Sequence, residues 1–431
     1  MLVFLACEAG TPLVRPRREA AVDAIAGEGD PGDAPPDAPA VELFDPDVIP
    51  TLRLALPDGW EDTLVGMIPE DDCAPRDFLA GDLVFEDPAT GVVEAWSDVG
   101  VRYRGHSSLW LPNYSDGNRW GFKLSFDAFV PGREFHGGLE TLNLLGTEGD
   151  YTLAREVLAL ERLRGAGVPA PRAGWARVYV DEEYLGLFPL TEEADDGDYL
   201  ARTFGAEGGS LYEVSGYCGN ADLAWYGDDP ETYDGFEPKA GTLEEDKRLD
   251  LIPLLACGST PDDAAFEACL PARADVPGWL RLVAVEALLG NFDGLGAAGH
   301  NYLLWFPPDG SPAVVWPYDL DLAWFDNPLY IASESIFDFA PTWVPAAPAL
   351  TRRMRRTWAD DYCAAVLDAA WDPDDLDGRI EDVRAQLAPE IEADPFIEPA
   401  WWDDALDDLA HAAEERHELV VRQAEDCSPP G

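Results

Sequence analysis

Positive charge is scarce in this chain. Against 84 aspartates and glutamates stand only 29 lysines and arginines, and over 431 residues the formal net charge is −55. A surface this acidic repels nucleic acid and anionic membrane over most of its extent, so no nucleic-acid partner is expected. An excess of that size answers to solvation and not to any one site. No stretch approaches the roughly eighteen apolar residues of a membrane helix, which excludes a membrane span and leaves lipid as the means of any anchoring. The seven cysteines, at 7, 73, 218, 257, 269, 363 and 427, include no C-x-x-C pair and no Cys/His spacing that fits zinc. No internal repeat of about twenty to fifty residues is evident.

What is present describes a folded protein. Hydrophobic residues make up 47% of the chain and 15 are tryptophan, and the length allows a full core, with two lobes or domains as the expectation. With Cys7 set aside, six cysteines permit three disulfides in an oxidising compartment, Cys257 and Cys269 being the most local pair; buried thiols are the alternative. The opening Phe4-Leu5-Ala6-Cys7 is similar to the tail of a lipoprotein signal, though no positive segment precedes it. Residues 1–40 are therefore expected to hold a truncated export signal, with Cys7 as a lipid-anchor candidate, and a disordered Gly/Pro/Asp/Ala linker. The expected setting is extracytoplasmic, as a cell-envelope lipoprotein or a secreted protein.

From about Val41, short alternating runs separated by turns predict a β-rich unit over 41–191: Leu52–Leu56, Leu64–Ile68, Val92–Trp96, Val99–Tyr103 and Trp120–Phe126. In the last run Trp120, Phe122, Leu124 and Phe126 share one face, so Lys123 points away from the apolar side. Upstream, Arg102-Tyr-Arg104-Gly105-His106-Ser107-Ser108 reads as a strand entering a small-residue turn, whose backbone amides can cradle phosphate oxygens. Leu142–Leu145 ends a strand. The spacing of Leu153, Val157, Leu160 and Leu163 predicts a helix over Asp150–Gly165, with Glu156 on its flank. A hairpin is predicted at Trp175–Val180 and Tyr184–Leu190. The remainder, 192–431, is expected to form a helical unit: helical and irregular pieces run to the central stretch, and from Ala347 to the end the pattern is mainly helical, including Asp404–Arg422. The basic cluster Arg352, Arg353, Arg355 and Arg356 either binds an acidic partner or neutralises neighbouring carboxylates. Asp372–Gly378 fits no calcium-loop register.

The densest chemistry lies in Gly290–Trp324. A helical stripe from Trp279 to Leu289 stops at Gly290, and a glycine-rich loop carries Asp293. A hairpin then runs from Asn301–Phe306 through the turn Pro307-Pro308-Asp309-Gly310 to Pro312–Trp316, delivering Asp319 and Asp321 just past the strand end. Asn301 and Asp319 thus sit at the two mouths of one hairpin and can approach the same point. Such hard oxygen ligands suit Mg²⁺, which takes one or two carboxylates plus substrate phosphates. Asp293, outside that group, can hold or deprotonate an attacking hydroxyl.

This stretch resembles the active-site half of the CotH kinase family, the spore-coat-protein-H-like atypical protein kinases. The family pattern N-x-D, H-N-Y and W/P-x-D-x-D is met by Asn291-Phe-Asp293, His300-Asn301-Tyr302 and Trp316-Pro-Tyr-Asp319-Leu-Asp321. Upstream, Arg104-Gly105-His106-Ser107-Ser108 resembles the family's R-G-N-S-S, with His106 in place of Asn. Arg155-Glu156 resembles its helix start, and Gly186 to Glu193 its G-x-Y-x-L-x-E connection. Ordinary kinase signatures are absent: no G-x-G-x-x-G, V-A-I-K, H-R-D or D-F-G.

The resemblance implies an α+β, two-lobed atypical protein-kinase-like fold, with a β-rich N-terminal lobe and a mainly helical C-terminal lobe. It implies an ATP- and Mg²⁺-dependent phosphotransferase acting on protein hydroxyls. Arg104, Gly105, Ser107, Ser108 and Lys123 would hold the nucleotide and Glu156 would orient Lys123. Asn301 and Asp319 would bind metal and Asp293 would orient the acceptor. Asp321 lies roughly 6 to 7 Å beyond Asp319 on an extended strand, so it either joins the metal through a bend or anchors the loop. A different class, an exported binding protein that keeps the scaffold without turnover, is the alternative.

Overall fold

The computed structural model describes residues 42–71, 73–105, 107–109, 119–136, 138–146, 149–214, 218–239, 242, 247–325, 335–339 and 348–429. The expected export segment with Cys7, and His106, lie outside them. Among the described residues the first part of the chain forms β1 (Thr51–Ala55), α1 (Trp60–Gly66), β2 (Leu79–Glu86), β3 (Val93–Arg104), β4 (Gly121–Ser125), β5 (Thr141–Leu144), α2 (Arg155–Gly165), β6 (Ala173–Val180) and β7 (Glu183–Glu192). Then come α3 (Gly197–Phe204), β8 (Ser210–Val214), β9 (Phe236–Pro238), α4 (Leu251–Gly258), α5 (Asp263–Cys269), α6 (Val276–Leu289), β10 (Tyr302–Phe306) and β11 (Val314–Pro317). Four helices finish it: α7 (Ala349–Thr357), α8 (Ala359–Ala369), α9 (Pro373–Ala393) and α10 (Pro399–Asp426).

Seven strands close into a barrel in the order β1-β2-β3-β4-β5-β7-β6. Neighbours pair antiparallel except at the seam, where β1 runs parallel to β6 with Leu52 opposite Val178. Strict alternation on β4 sends Phe122 and Leu124 inward to a core of their own with Leu54, Phe85, Val101 and Phe188, and sends Lys123 outward. A second sheet, β11-β10-β8-β9, is antiparallel throughout. Its hairpin turns at Gly310, whose N–H donates to the Pro307 carbonyl at 3.1 Å with φ at 79°, the left-handed conformation that favours glycine. The run Asp372–Gly378 opens α9, Asp372 capping it by accepting from the Asp374 N–H at 3.1 Å.

The α+β content stands, but the expected two-lobed kinase arrangement does not. The strands close on themselves into a barrel, and the outer face of that barrel is fused to the helices: Trp175 of β6 and Leu187 of β7 belong to the same apolar cluster as Val157 and Leu160 of α2 and Leu282 and Leu289 of α6. The reason is the β1–β6 seam. A parallel pairing between strands more than a hundred residues apart removes both sheet edges, and nothing local in either strand announces it. Two smaller readings also change. Leu64–Ile68 is not a strand; Gly59 at φ 77° and the first-turn acids Glu61 and Asp62 start α1 there. Val92–Trp96 and Val99–Tyr103 are one twelve-residue strand, β3.

All six cysteines among the described residues are paired, as Cys73–Cys218, Cys257–Cys269 and Cys363–Cys427. Disulfides persist in oxidising compartments, which points to an extracytoplasmic setting. Among the described residues no helix is long and apolar enough to cross a membrane.

One buried ion pair ties the last helices to the barrel. Asp394, at the C-terminal end of α9, accepts from Arg119 Nη1 and from the Leu187 N–H of β7, both at 2.9 Å, with the two side chains 2% and 0% exposed. Removing one partner leaves the other buried and uncompensated. Asp394→Ala is therefore expected to cost about 3–5 kcal/mol in urea unfolding; a loss below about 1 kcal/mol would show that solvent replaces the pair.

Candidate active site

Strand register determines one wall of the site. Arg102 stands opposite Lys123, Lys123 opposite Asn143, and Asn143 opposite Thr191, so four outward side chains form a row across β3, β4, β5 and β7. All four line a cavity of about 450 Å³. The barrel interior is apolar, so polar residues of these strands are driven to the outside, and the cavity receives them. At its rim β3 ends in Arg104 and Gly105. Gly105 has φ 115°, and a Cβ there would lie 2.0 Å from Ser108 Oγ; only glycine permits this turn. Ser108 lines the cavity, and Ser107 lies in the adjoining 3-10 turn, Ser107–Leu109.

The opposite wall is the open end of the β10–β11 hairpin. Tyr302 pairs with Pro317, and just outside that pair the Tyr318 N–H donates to the Asn301 carbonyl at 3.1 Å. Asn301 and Asp319 therefore flank one mouth, as the hairpin reading requires, and both line the cavity with Asp293 and Asp321. Both adopt left-handed backbone, φ 50° for Asn301 and 59° for Asp319. For residues with a Cβ that conformation costs on the order of 1 kcal/mol, although asparagine and aspartate adopt it more readily than most. Asn301 Nδ2 donates to Asp293 Oδ2 at 3.0 Å, leaving its amide oxygen for another partner.

Carboxylates crowd this end. Asp293 is pushed up to about 7, first by burial and then by Asp319, with the Asn301 hydrogen bond opposing. Asp321 is raised well above the usual range by burial, Asp319 and Glu156. Glu156 is pushed up to about 8 by burial and by Asp319, against the Leu320 N–H and Arg104. Arg104 is the counter-charge: burial works against its cationic form, but Asp319, Glu193, Glu156 and Asp321 together outweigh it.

The structure does not bring Glu156 to Lys123. Glu156 Oε2 accepts the Leu320 N–H, between the two candidate aspartates, and the preceding Arg155 Nη1 donates to the carbonyls of Ala323 and Trp324 at 2.7 and 2.6 Å. The first turn of α2 thus clamps the 320–324 loop from both sides. The whole turn is buried, and Glu156 is 3% exposed. The partner of Lys123 is Glu193, one residue past β7, which Asn143 Nδ2 also meets at 3.3 Å. Burial would raise Glu193, but Lys123 and Arg104 overcome it and hold the carboxyl down to about 2. The signal for Glu193 was alternation: it is two residues on from the outward Thr191. Lys239, just past β9, also lines the cavity and is bound by Glu213, by Asp195 at 3.2 Å and by Glu237 at 3.3 Å.

Below the mouth, Glu286 of α6 fixes the loop that carries Asp293. Its carboxylate accepts the Leu295 N–H at 3.0 Å and the Gly296 N–H at 2.6 Å. A Cβ at Gly294 would sit 2.2 Å from Glu286 Oε1, so the loop's close approach depends on glycine there.

Among family models, the one described as CotH kinase protein matches residues 101–420, most of the chain. No curated protein matches it.

Burial of Asp293 has a thermodynamic consequence. A carboxyl raised from 3.8 to about 7 in the folded state costs nothing while protonated in both states and destabilises progressively as pH rises through that window. In chelator-treated protein, Asp293→Asn is expected to exceed the parent in stability at pH 8 by up to about 4 kcal/mol and to lose the advantage near pH 4. Urea melts at the two pH values check this; an equal difference at both would show that Asp293 is not perturbed.

Proposed function

The chain belongs to the CotH kinase family, and on that premise we propose that it transfers the terminal phosphoryl group of Mg²⁺-bound ATP to a hydroxyl on a protein acceptor. One observation carries this reading: a single cavity joins a cationic barrel wall and a glycine turn to the oxygen donors of a strained hairpin mouth. Among the described residues no three His, Cys, Asp or Glu side chains gather closely enough to hold a metal unaided. Two carboxylates, Asp319 and Asp321, with the amide oxygen of Asn301 would supply the sparse hard-oxygen set that magnesium accepts when substrate phosphates complete its shell. Mutual repulsion among Asp293, Asp319, Asp321 and Glu156 is what a divalent cation would relieve. When bound, magnesium supplies charge neutralisation of the phosphoryl oxygens.

The chain's own residues divide the remaining work. Lys123 and Arg104 attract the phosphates, and the Gly105 turn lets backbone approach them. Asp293, unpaired with any cation among the described residues, takes the proton of the acceptor hydroxyl. The hydroxyl oxygen forms its bond to the terminal phosphorus while the bond from that phosphorus to the bridging oxygen breaks, leaving a nucleoside diphosphate. Glu193 holds Lys123 in place, the task expected of Glu156. The proposal extends to an extracytoplasmic site of action, with lipid attachment at Cys7.

Two substitutions separate the roles. Asp319→Asn keeps shape and removes the charge that favours the metal, so Mg²⁺-dependent nucleotide affinity and turnover should both fall. Asp293→Asn should lower turnover by roughly 10²–10⁴-fold with nucleotide affinity nearly intact. Thermal melting with millimolar ATP and Mg²⁺ reads the binding and labelled-phosphate transfer reads the turnover. If the parent neither shifts with nucleotide nor labels any offered protein, the phosphotransferase reading is wrong and the scaffold is a binding module.

A further inference from the structure

The cavity's cations are not equivalent. Lys123 is neutralised by Glu193, and Lys239 by three carboxylates. Arg102, directly across the β3–β4 ladder from Lys123, has no carboxylate within ion-pairing distance among the described residues. Its Nε is buried and donates to nothing there. Phe78 lies under the guanidinium, 5.1 Å from ring centroid to Cζ, and takes its flat face, while the side chain lines the cavity. Burial, Arg76 and Arg104 work against its charge, and Glu193 and Glu213, beyond ion-pairing distance, offset them only in part. In a chain with 84 acidic residues, where arginines such as Arg119, Arg177 and Arg379 are ion-paired, a cavity-lining cation with no ion-pair partner among the described residues is a place for an anion.

The shape of the cationic wall identifies the anion. Arg102 and Lys123 are adjacent across the strands, roughly 5 Å apart at Cβ, and Arg104 lies roughly 6 to 7 Å further along β3. Arg76 joins them from the segment that follows Cys73, and the Cys73–Cys218 disulfide tethers that segment at the cavity, which both cysteines line. An extended row of cations with a planar fork at one end suits a chain of phosphates better than a lone carboxylate, since guanidinium binds phosphate oxygens two at a time.

We propose that Arg102, with Arg76 beside it, is a phosphate subsite for the polyphosphate tail of the nucleotide, one strand away from Lys123. The proposal deepens the phosphotransferase reading, but its test uses binding alone. Inorganic tripolyphosphate and ATP would be titrated calorimetrically into the full chain, Arg102→Gln and Arg102→Lys, with thermal melting to confirm that the variants fold. Arg102→Gln is expected to weaken both ligands roughly ten- to a hundredfold. Arg102→Lys should fall in between, because it keeps the charge and loses the fork. If the parent binds ATP and Arg102→Gln binds it equally well, the subsite is wrong and the kinase reading stands. If tripolyphosphate binds in an Arg102-dependent way and ATP does not bind at all, the subsite stands and the kinase reading falls. A parent that does not bind tripolyphosphate overturns the subsite.

Discussion

The parallel pairing of β1 with β6 is the constraint on which the rest of the structure depends. Without it β1 to β7 would be an open sheet with two edges, free to twist and to present either face. Closure assigns every residue of those strands to inside or outside, and the inside is filled by Leu54, Phe85, Phe122, Leu124 and Phe188. The polar residues of the same strands have only the outside left. Part of that outside is covered by helices through Trp175 and Leu187; the remainder, on β3, β4, β5 and β7, becomes the wall of the cavity. A functional surface arises here as the complement of a packing solution, held with the rigidity of a closed barrel.

Against that wall the hairpin end is electrostatically expensive. Asp319 raises Asp293, Asp321 and Glu156, and Arg104 is held in its charged form by Asp321 and Glu156 among others. Many of the chain's other acidic residues lie on solvated surface, where repulsion is weak and screened. Gathering four carboxyl groups in a partly buried cavity, with two of the neighbouring backbones in left-handed conformations, runs against stability. Such sites persist where function retains them. The same groups that disfavour one another favour a bound cation and a proton acceptor.

How much of this was legible in the sequence depended on range. The hairpin mouth was legible because its signals are local: alternation into Pro307-Pro308-Asp309-Gly310 and back sets Asn301 and Asp319 side by side with no knowledge of the remainder of the fold. The outward aim of Lys123 followed from a period of two. Barrel closure was not legible, since β1 and β6 pair across most of the N-terminal half and either strand alone reads as an ordinary apolar run. Nor was α1, where four apolar residues from Leu64 fit helix and strand equally and the choice was made by Gly59, Glu61 and Asp62. The exchange of Glu156 for Glu193 as the partner of Lys123 was hidden for a similar reason. Both are glutamates near the right elements, and only the three-dimensional path of α2 shows which one the lysine meets.

That path also changes what Arg155-Glu156 does. Its resemblance to a kinase helix start invited a nucleotide role, yet its hydrogen bonds run to Leu320, Ala323 and Trp324, all in the loop that holds Asp321. Asp150 in turn accepts the N–H groups of Thr152 and Arg155 at 2.9 and 3.0 Å, capping the entry to α2. Trp175 of the barrel donates its indole N–H to the Leu153 carbonyl at 2.7 Å. A continuous series of buried polar contacts therefore leads from the barrel through the start of α2 to the aspartate loop. Because each contact is buried, each is costly to leave unmade, so the loop cannot shift without disturbing the helix, nor the helix without the barrel. The position of Asp321 relative to the cationic wall is accordingly a property of the whole fold, although the residues that set it are an Arg-Glu pair more than 160 residues away in the chain.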